Sequence, residues 1–304
     1  MNLLQQPSVL LFLFILGIIA QYFSFLPKDG YRSINKFILY VPLPAIVLTK
    51  IPFLEITHEV IFPIASAWII FFASAVFAYI FCRIMKYDKK TMACLILCCG
   101  LGNTSFVGYP ILKYFYGEQS LQYAIFVDQP GSFLILSTFG ILVATYFSAS
   151  SLDKKQMGLR LIKFPPFLIF ILALFLQKEL ITGNTFYILD LLGKFMVPLA
   201  ILSLGLQFKL SLKEIEWKKL SAGLFYKLLL APFIVFVLFY YAFDKQGELY
   251  TVSVLECAMP PMITSSILAI EYNLDEKLAN ALPTLGILFS VPTLLLWKWL
   301  LTFY

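Results

Sequence analysis

The chain has 304 residues, 61% of them hydrophobic and only 13% charged, with a mean hydropathy of +0.87. An ordinary soluble domain carries about 25% charged residues, so this chain lacks the polar surface that a water-facing fold requires, and soluble enzymes and nucleic-acid binders are excluded. The net charge of +6 is accounted for by a basic belt facing anionic lipid and implies no nucleic-acid partner.

A helix of about 20 apolar residues spans a bilayer core, and ten runs of about that length follow one another. They cover residues 8–26, 34–52, 60–85, 92–115, 120–147, 161–181, 187–208, 219–243, 249–271 and 276–301, and are called segments one to ten below. The expected fold class is therefore an all-α polytopic membrane protein with ten transmembrane helices joined by short connections. Segment one has no basic stretch before it and no small-residue cleavage site after it, which reads as a retained helix and not a signal peptide. The five cysteines, Cys82, Cys94, Cys98, Cys99 and Cys257, lie within or beside apolar runs and behave there as small hydrophobes rather than a disulfide framework. With His58 the single histidine, neither a His/Cys metal site nor a His-dependent triad can be assembled; no metal, no cofactor and no enzymatic activity are expected.

Basic residues gather in alternate connections: Lys28, Arg32 and Lys36; Arg83, Lys86, Lys89 and Lys90; Lys154, Lys155, Arg160 and Lys163; Lys209, Lys213, Lys218 and Lys219; and Lys277. Because basic connections stay cytoplasmic, both termini are expected outside a plasma (inner) membrane.

Sliding the sequence along itself by 156 residues lays Phe14-Ile15-Leu16 and Gln21 on Phe170-Ile171-Leu172 and Gln177, and Val41-Pro42-Leu43 on Val197-Pro198-Leu199. Residues 1–147 and 161–304 then form two five-helix repeats joined by a short cytoplasmic connection, 148–160. Since each repeat holds an odd number of helices, the second inserts upside down, giving an inverted 5+5 arrangement.

Segment four contains Gly100, Gly102, Asn103, Thr104, Ser105, Gly108 and Pro110, and its repeat partner, segment nine, contains Glu256, Pro260, Pro261, Thr264, Ser265 and Ser266. Glycine weakens helical backbone and proline removes a donor, so both segments are expected to break at mid-membrane. Unpaired backbone is costly in hydrocarbon, and such breaks survive only where protein or a wet cavity surrounds them; the two are expected to cross there. Half-helix N-termini attract anions, and Asn103, Thr104, Ser105, Thr264 and Ser265, framed by Pro110, Pro260 and Pro261, supply neutral hydrogen-bonding groups. A site of this kind suits a small carboxylate.

These residues resemble the auxin efflux carrier family, also called the PIN-like or membrane transport protein family, which includes bacterial organic-acid permeases. The likeness rests on Asn103-Thr104-Ser105-Phe106 with Gly108 and Pro110, where Ser105 replaces the usual glycine, and on Ala258-Met259-Pro260-Pro261 followed by Ala269 and Tyr272. It implies a fold similar to bile-acid transporters and sodium/proton antiporters, with segments four and nine crossing at the substrate site. It also implies a homodimer through scaffold segments one, two, six and seven, and an elevator movement of segments three to five and eight to ten. Plant relatives carry a long cytoplasmic loop between the repeats, here reduced to about residues 148–160.

Asp128, next to Gln129 and Pro130 in segment five, and Glu256 in segment nine are intramembrane carboxylates, which are functional candidates by default. Coupling to protons, to sodium or to the membrane potential is expected from Asp128, Gln129, Glu256 and Lys227, with a structural role for Asp128 as the alternative. Lys227, inside segment eight, has two readings: a partner for Glu256, or a side chain that snorkels toward the cytoplasm. The leading function is a secondary transporter for a small organic anion; the alternative is an ion or solute channel using the same breaks.

Overall fold

The computed structural model describes residues 7–23, 25, 27, 30–53, 57–148, 165–207 and 216–304. Among these the protein is all-α. In chain order the helices are α1 (Pro7–Tyr22), α2 (Gly30–Tyr40), α3 (Pro42–Lys50), α4 (Ile61–Met85), α5 (Lys89–Gly100), α6 (Tyr109–Tyr116), α7 (Ser120–Val127) and α8 (Ile141–Phe147). They continue with α9 (Pro165–Phe175), α10 (Gly183–Lys194), α11 (Met196–Gln207), α12 (Trp217–Phe225), α13 (Ala231–Phe236), α14 (Glu248–Cys257), α15 (Ile263–Glu271) and α16 (Glu276–Leu300). Each of the ten apolar segments carries helix. The connection 148–160 lies outside the described residues from 149 onward, as do Lys28, Lys163, Lys209 and Lys213.

Among the described residues six helices are long and apolar enough to cross a membrane: Ser33–Phe53, His58–Met85, Ser120–Phe147, Gly183–Leu206, Trp217–Ala242 and Glu276–Phe303. Segments four and nine fall short because each is divided. Segments five and eight bend without dividing, through π-helical turns at Asp128–Phe133 and Leu136–Gly140 and at Tyr226–Leu230 and Val237–Ala242. The cause is Pro130 in one and Pro232 in the other, each of which removes a backbone donor inside a helix. Pro232 leaves the Leu228 carbonyl without its in-helix partner, and the Trp297 indole N–H takes it at 3.0 Å.

The chain folds into two compact units of interleaved sequence. One comprises Met1–Thr57, Ser105–Ile125 and Ile162–Lys209; the other comprises His58–Thr104, Phe126–Leu161 and Leu210–Tyr304. In the first, α1 lies against α11 at glycines: a methyl on Gly17 would sit 2.5 Å from the Leu202 carbonyl oxygen, and Gly205 faces the Phe14 carbonyl just as closely. Small residues let two membrane helices approach backbone to backbone, where dispersion replaces the missing hydrophobic drive. The Ser203 hydroxyl is hydrogen-bonded to Asn35. At one end of this unit Glu118 accepts from Lys113 at 2.6 Å and Lys50 at 3.4 Å, and Lys194 pairs with Asp190 at 2.6 Å. Burial opposes ionisation of Glu118, but the bond from Lys113 and the two ammonium charges outweigh it and hold the carboxyl below its usual range.

In the second unit α5 and α14 are enclosed nearly all round, with Ala93–Gly100 and Tyr250–Cys257 buried without interruption. That pattern marks interior helices, not lipid-facing ones. α14 packs on α4 and α13, and α15 on α5 and α16. At the end where α5 and α16 begin, Asp88 caps α5 by accepting from the Thr91 amide at 2.8 Å, and Asp275 caps α16 by accepting from the Leu278 amide at 3.1 Å. Asp275 also receives the Thr91 hydroxyl at 2.8 Å and the Lys219 ammonium at 3.1 Å, which ties the starts of α5, α12 and α16 together.

Two substitutions test this packing by thermal denaturation of the purified protein. Asp275→Ala removes a cap and leaves Lys219 with Glu216 alone, and is expected to lower stability by about 1–2 kcal/mol; an unchanged midpoint contradicts the clamp. Gly17→Val overfills the α1–α11 contact and is expected to cost about 1–3 kcal/mol, whereas a neutral result contradicts the close approach.

Candidate functional site

The site of interest is the double break in segments four and nine. α5 stops at Gly100, and Leu101 turns extended (φ −118°, ψ 126°) before helix resumes at Thr104. α14 stops at Cys257, and helix resumes at Ile263 after the two prolines. Between these ends the two strands of chain pair with each other: the Asn103 amide donates to the Pro260 carbonyl at 2.8 Å, and the Met262 amide donates to the Leu101 carbonyl at 3.0 Å. Gly102 and Pro261 stand opposite one another as a single antiparallel β-bridge. Each break thus supplies the hydrogen bonds that the other lost, which is what burial in hydrocarbon demands.

Gly102 is dictated by this crossing. A Cβ there would lie 3.1 Å from the Lys227 Nζ and 3.3 Å from the Glu256 carbonyl oxygen. Pro261 leaves the Cys257 carbonyl without an in-helix donor, and Lys227 reaches in from segment eight to donate to it at 2.6 Å. Lys227 is 0% exposed. It therefore does not snorkel, and the bond it makes goes to a backbone carbonyl and not to the Glu256 side chain.

Around the bridge sit polar side chains that are deeply buried. Asp128, at the π-helical turn of segment five, accepts from the Thr104 hydroxyl at 2.5 Å and from the Gln129 amide at 2.6 Å, one donor on each carboxylate oxygen. The partners of Asp128 are thus side chains at the break. The Trp68 indole donates to the Pro130 carbonyl at 3.1 Å and steadies the same turn. Beside the bridge, three side chains keep buried polar atoms without a hydrogen-bond partner among the described residues: Asn103 at its Nδ2, Gln129 at its Oε1 and Glu256 at both carboxylate oxygens. Asn103 is 2% exposed and Glu256 0%. An unpaired buried polar group costs about 1–3 kcal/mol, and more when charged, so these three side chains leave hydrogen-bonding capacity for a polar ligand at the crossing.

The remaining residues singled out from sequence are distributed differently. Pro260 and Pro261 are in the bridge. Ser265 is buried and returns its hydroxyl to the Met262 carbonyl at 2.7 Å, and Ser266 does so more weakly at 3.4 Å, beside the Cys98 thiol. Thr264 is exposed, and Ser105 and Pro110 belong to the other compact unit. The sequence marks the Glu256 and Cys257 carbonyls as freed by Pro260 and Pro261, but it does not announce that Lys227 takes the second of them or that Gly102 has a steric role. Both depend on neighbours distant in sequence. The described residues hold no group of three or more His, Cys, Asp or Glu side chains able to bind a metal ion.

Comparison with known proteins places the geometry in context. The family model described as membrane transport protein matches residues 8–298. An uncharacterized transporter of Methanothermobacter thermautotrophicus is 28% identical over 294 residues, covering 95% of each chain. An uncharacterized transporter of Methanocaldococcus jannaschii is 27% identical over 309 residues, covering 96% of this chain and 97% of the relative.

Gly102→Ala tests the crossing itself. Its methyl must displace the Lys227 ammonium or the segment nine backbone, with an expected loss of about 1–3 kcal/mol in thermal denaturation. A substitution without effect would mean that the two breaks do not approach this closely.

Proposed function

The chain belongs to the membrane transport protein family, and on that premise we propose that it is a secondary transporter moving a small organic anion, such as a carboxylate, by alternating access. The observation that carries the proposal is the bridge between Gly102 and Pro261 with the unpaired Asn103 amide beside it. A carboxylate needs hydrogen-bond donors and favourable dipoles more than a full countercharge. The Asn103 Nδ2 and the start of the half-helix after the break offer both. In this reading Asn103 binds the anion, Thr104 and Ser265 hold the turns that aim it, and Pro260 and Pro261 keep the strand open.

The movement proposed is of the elevator type. The grouping of the chain supports it in part: segments one, two, six and seven fall in one compact unit, three, eight, nine and ten with most of five in the other, and segment four is divided between them after Thr104. An inverted 5+5 repeat is proposed alongside it. Its support is that segments two and seven are both interrupted near their Val-Pro steps, at Val41 and Phe195, as segments four and nine are at their breaks. We further propose a multi-pass plasma membrane protein with both termini outside, paired as a homodimer through the first unit.

Radiolabelled uptake into proteoliposomes across dicarboxylates, aromatic carboxylates and neutral amino acids tests the reading. Saturable uptake of one class of acid is expected. Asn103→Ala is expected to weaken its apparent affinity about tenfold to a hundredfold, the worth of a hydrogen bond to a charged group. No acid taken up, or an affinity indifferent to the substitution, would overturn it, and continuous single-channel currents would identify a channel instead.

A further inference from the structure

The same crossing holds more charge chemistry than anion binding requires. The C-terminal end of α14 is the negative end of a helix, fully enclosed, with the carbonyl that Pro261 leaves unpaired pointing out of it. A cation belongs at such a place. The Lys227 ammonium occupies it, 2.6 Å from the Cys257 carbonyl oxygen.

Asp128 accepts a donor on each carboxylate oxygen, which is the bonding pattern of an ionised carboxylate. With Lys227 taken as the ammonium and Asp128 as the carboxylate, the two charges cancel. The Glu256 carboxyl remains, wholly buried, with neither oxygen hydrogen-bonded among the described residues. An ionised carboxylate in that condition would add an uncompensated charge to a water-poor interior, at a cost of several kcal/mol; a protonated one leaves the cluster neutral.

From this balance we propose that Glu256 carries the transported proton and that the Lys227 ammonium stands in the cation position of the crossing, so that transport is coupled to protons and independent of sodium. The proposal rests on the transporter reading above and names its coupling ion. The proton adds to a Glu256 oxygen from one aqueous side, crosses as the neutral acid beside the bound anion, and leaves on the other side.

The groups facing Glu256 are few. Asp128 comes from segment five and Lys227 from segment eight, and both act on it electrostatically. Cys257 is its neighbour, and Cys99, at the end of α5, faces Lys227. α4 contributes no titratable side chain short of Tyr79; the hydroxyl of its Ser66 donates to the Pro63 carbonyl. α13 carries no titratable side chain, and α16 keeps Glu276, Lys277 and Lys298 at its ends. Tyr240 meets α14 at Thr251, more than one turn away.

Two measurements test the proposal, and the first needs no substrate. Infrared spectroscopy of the purified protein at neutral pH is expected to show the carbonyl stretch of a buried carboxylic acid, lost in Glu256→Gln, a near-isostere of the protonated form. Absence of the band, or its persistence in the variant, would overturn the assignment. The melting temperature is expected to be the same in sodium and in choline chloride, and a sodium-dependent rise would show a metal cation at the site.

The second measurement uses proteoliposomes and radiolabelled malate or indole-3-acetate, whichever exchanges in counterflow. An imposed gradient of one pH unit, acid outside, is expected to drive up to about tenfold accumulation per proton, equal with and without sodium and abolished in Glu256→Gln. Accumulation that follows the sodium gradient, or ignores pH, would overturn the coupling. If neither acid exchanges, it is the carrier reading that fails, and the infrared band still decides the protonation of Glu256.

Discussion

Backbone amides and carbonyls inside a bilayer have no water to turn to, and this constraint organises the protein. Two prolines of the second unit, Pro232 and Pro261, each withdraw a donor whose carbonyl partner is taken by a side chain of a neighbouring element. The carbonyl left free by Pro232 goes to the Trp297 indole, and the one left free by Pro261 goes to the Lys227 ammonium. The π-helical turn at Pro130 is held by the Trp68 indole. Where both segments four and nine lose their helices, the two stretches of chain satisfy each other through the bridge at Gly102 and Pro261. A break that would be intolerable alone becomes stable as a pair.

That solution has a chemical consequence. The backbone is satisfied, so the polar side chains at the same level are not needed for it, and Asn103, Gln129 and Glu256 keep hydrogen-bonding capacity in a buried place. Asp128, by contrast, accepts from Thr104 and Gln129, and Lys227 donates to the Cys257 carbonyl. In the proposed mechanism, binding of an anion and movement of a proton draw on different residues at one crossing. A carrier that couples the two needs that separation.

Much of this was legible in the sequence. Ten apolar runs and their register come from hydropathy and length, and the glycines and prolines of segments four and nine mark breaks because their effect on helical backbone is local and strong. The carboxylates at Asp128 and Glu256 stand out because charge is rare among apolar residues. Other features depend on three-dimensional neighbours and left no local trace. Lys227 reads from sequence as a partner for Glu256 or a snorkelling side chain, and only the position of segment eight beside the Cys257 carbonyl shows its actual bond. Ser105 and Thr264 look equivalent to Thr104 and Ser265 by residue type, yet Ser105 belongs to a different unit and Thr264 is exposed. The π-helical turns of segments five and eight absorb their prolines without breaking the hydrophobic pattern, so the pattern does not announce them.

The most direct test of the account is a structure of the protein in lipid with its carried acid bound. The account predicts density for the carboxylate within hydrogen-bonding distance of the Asn103 Nδ2, beside an intact bridge between Gly102 and Pro261. A carboxylate bound away from Asn103, or segments four and nine found apart, would contradict it.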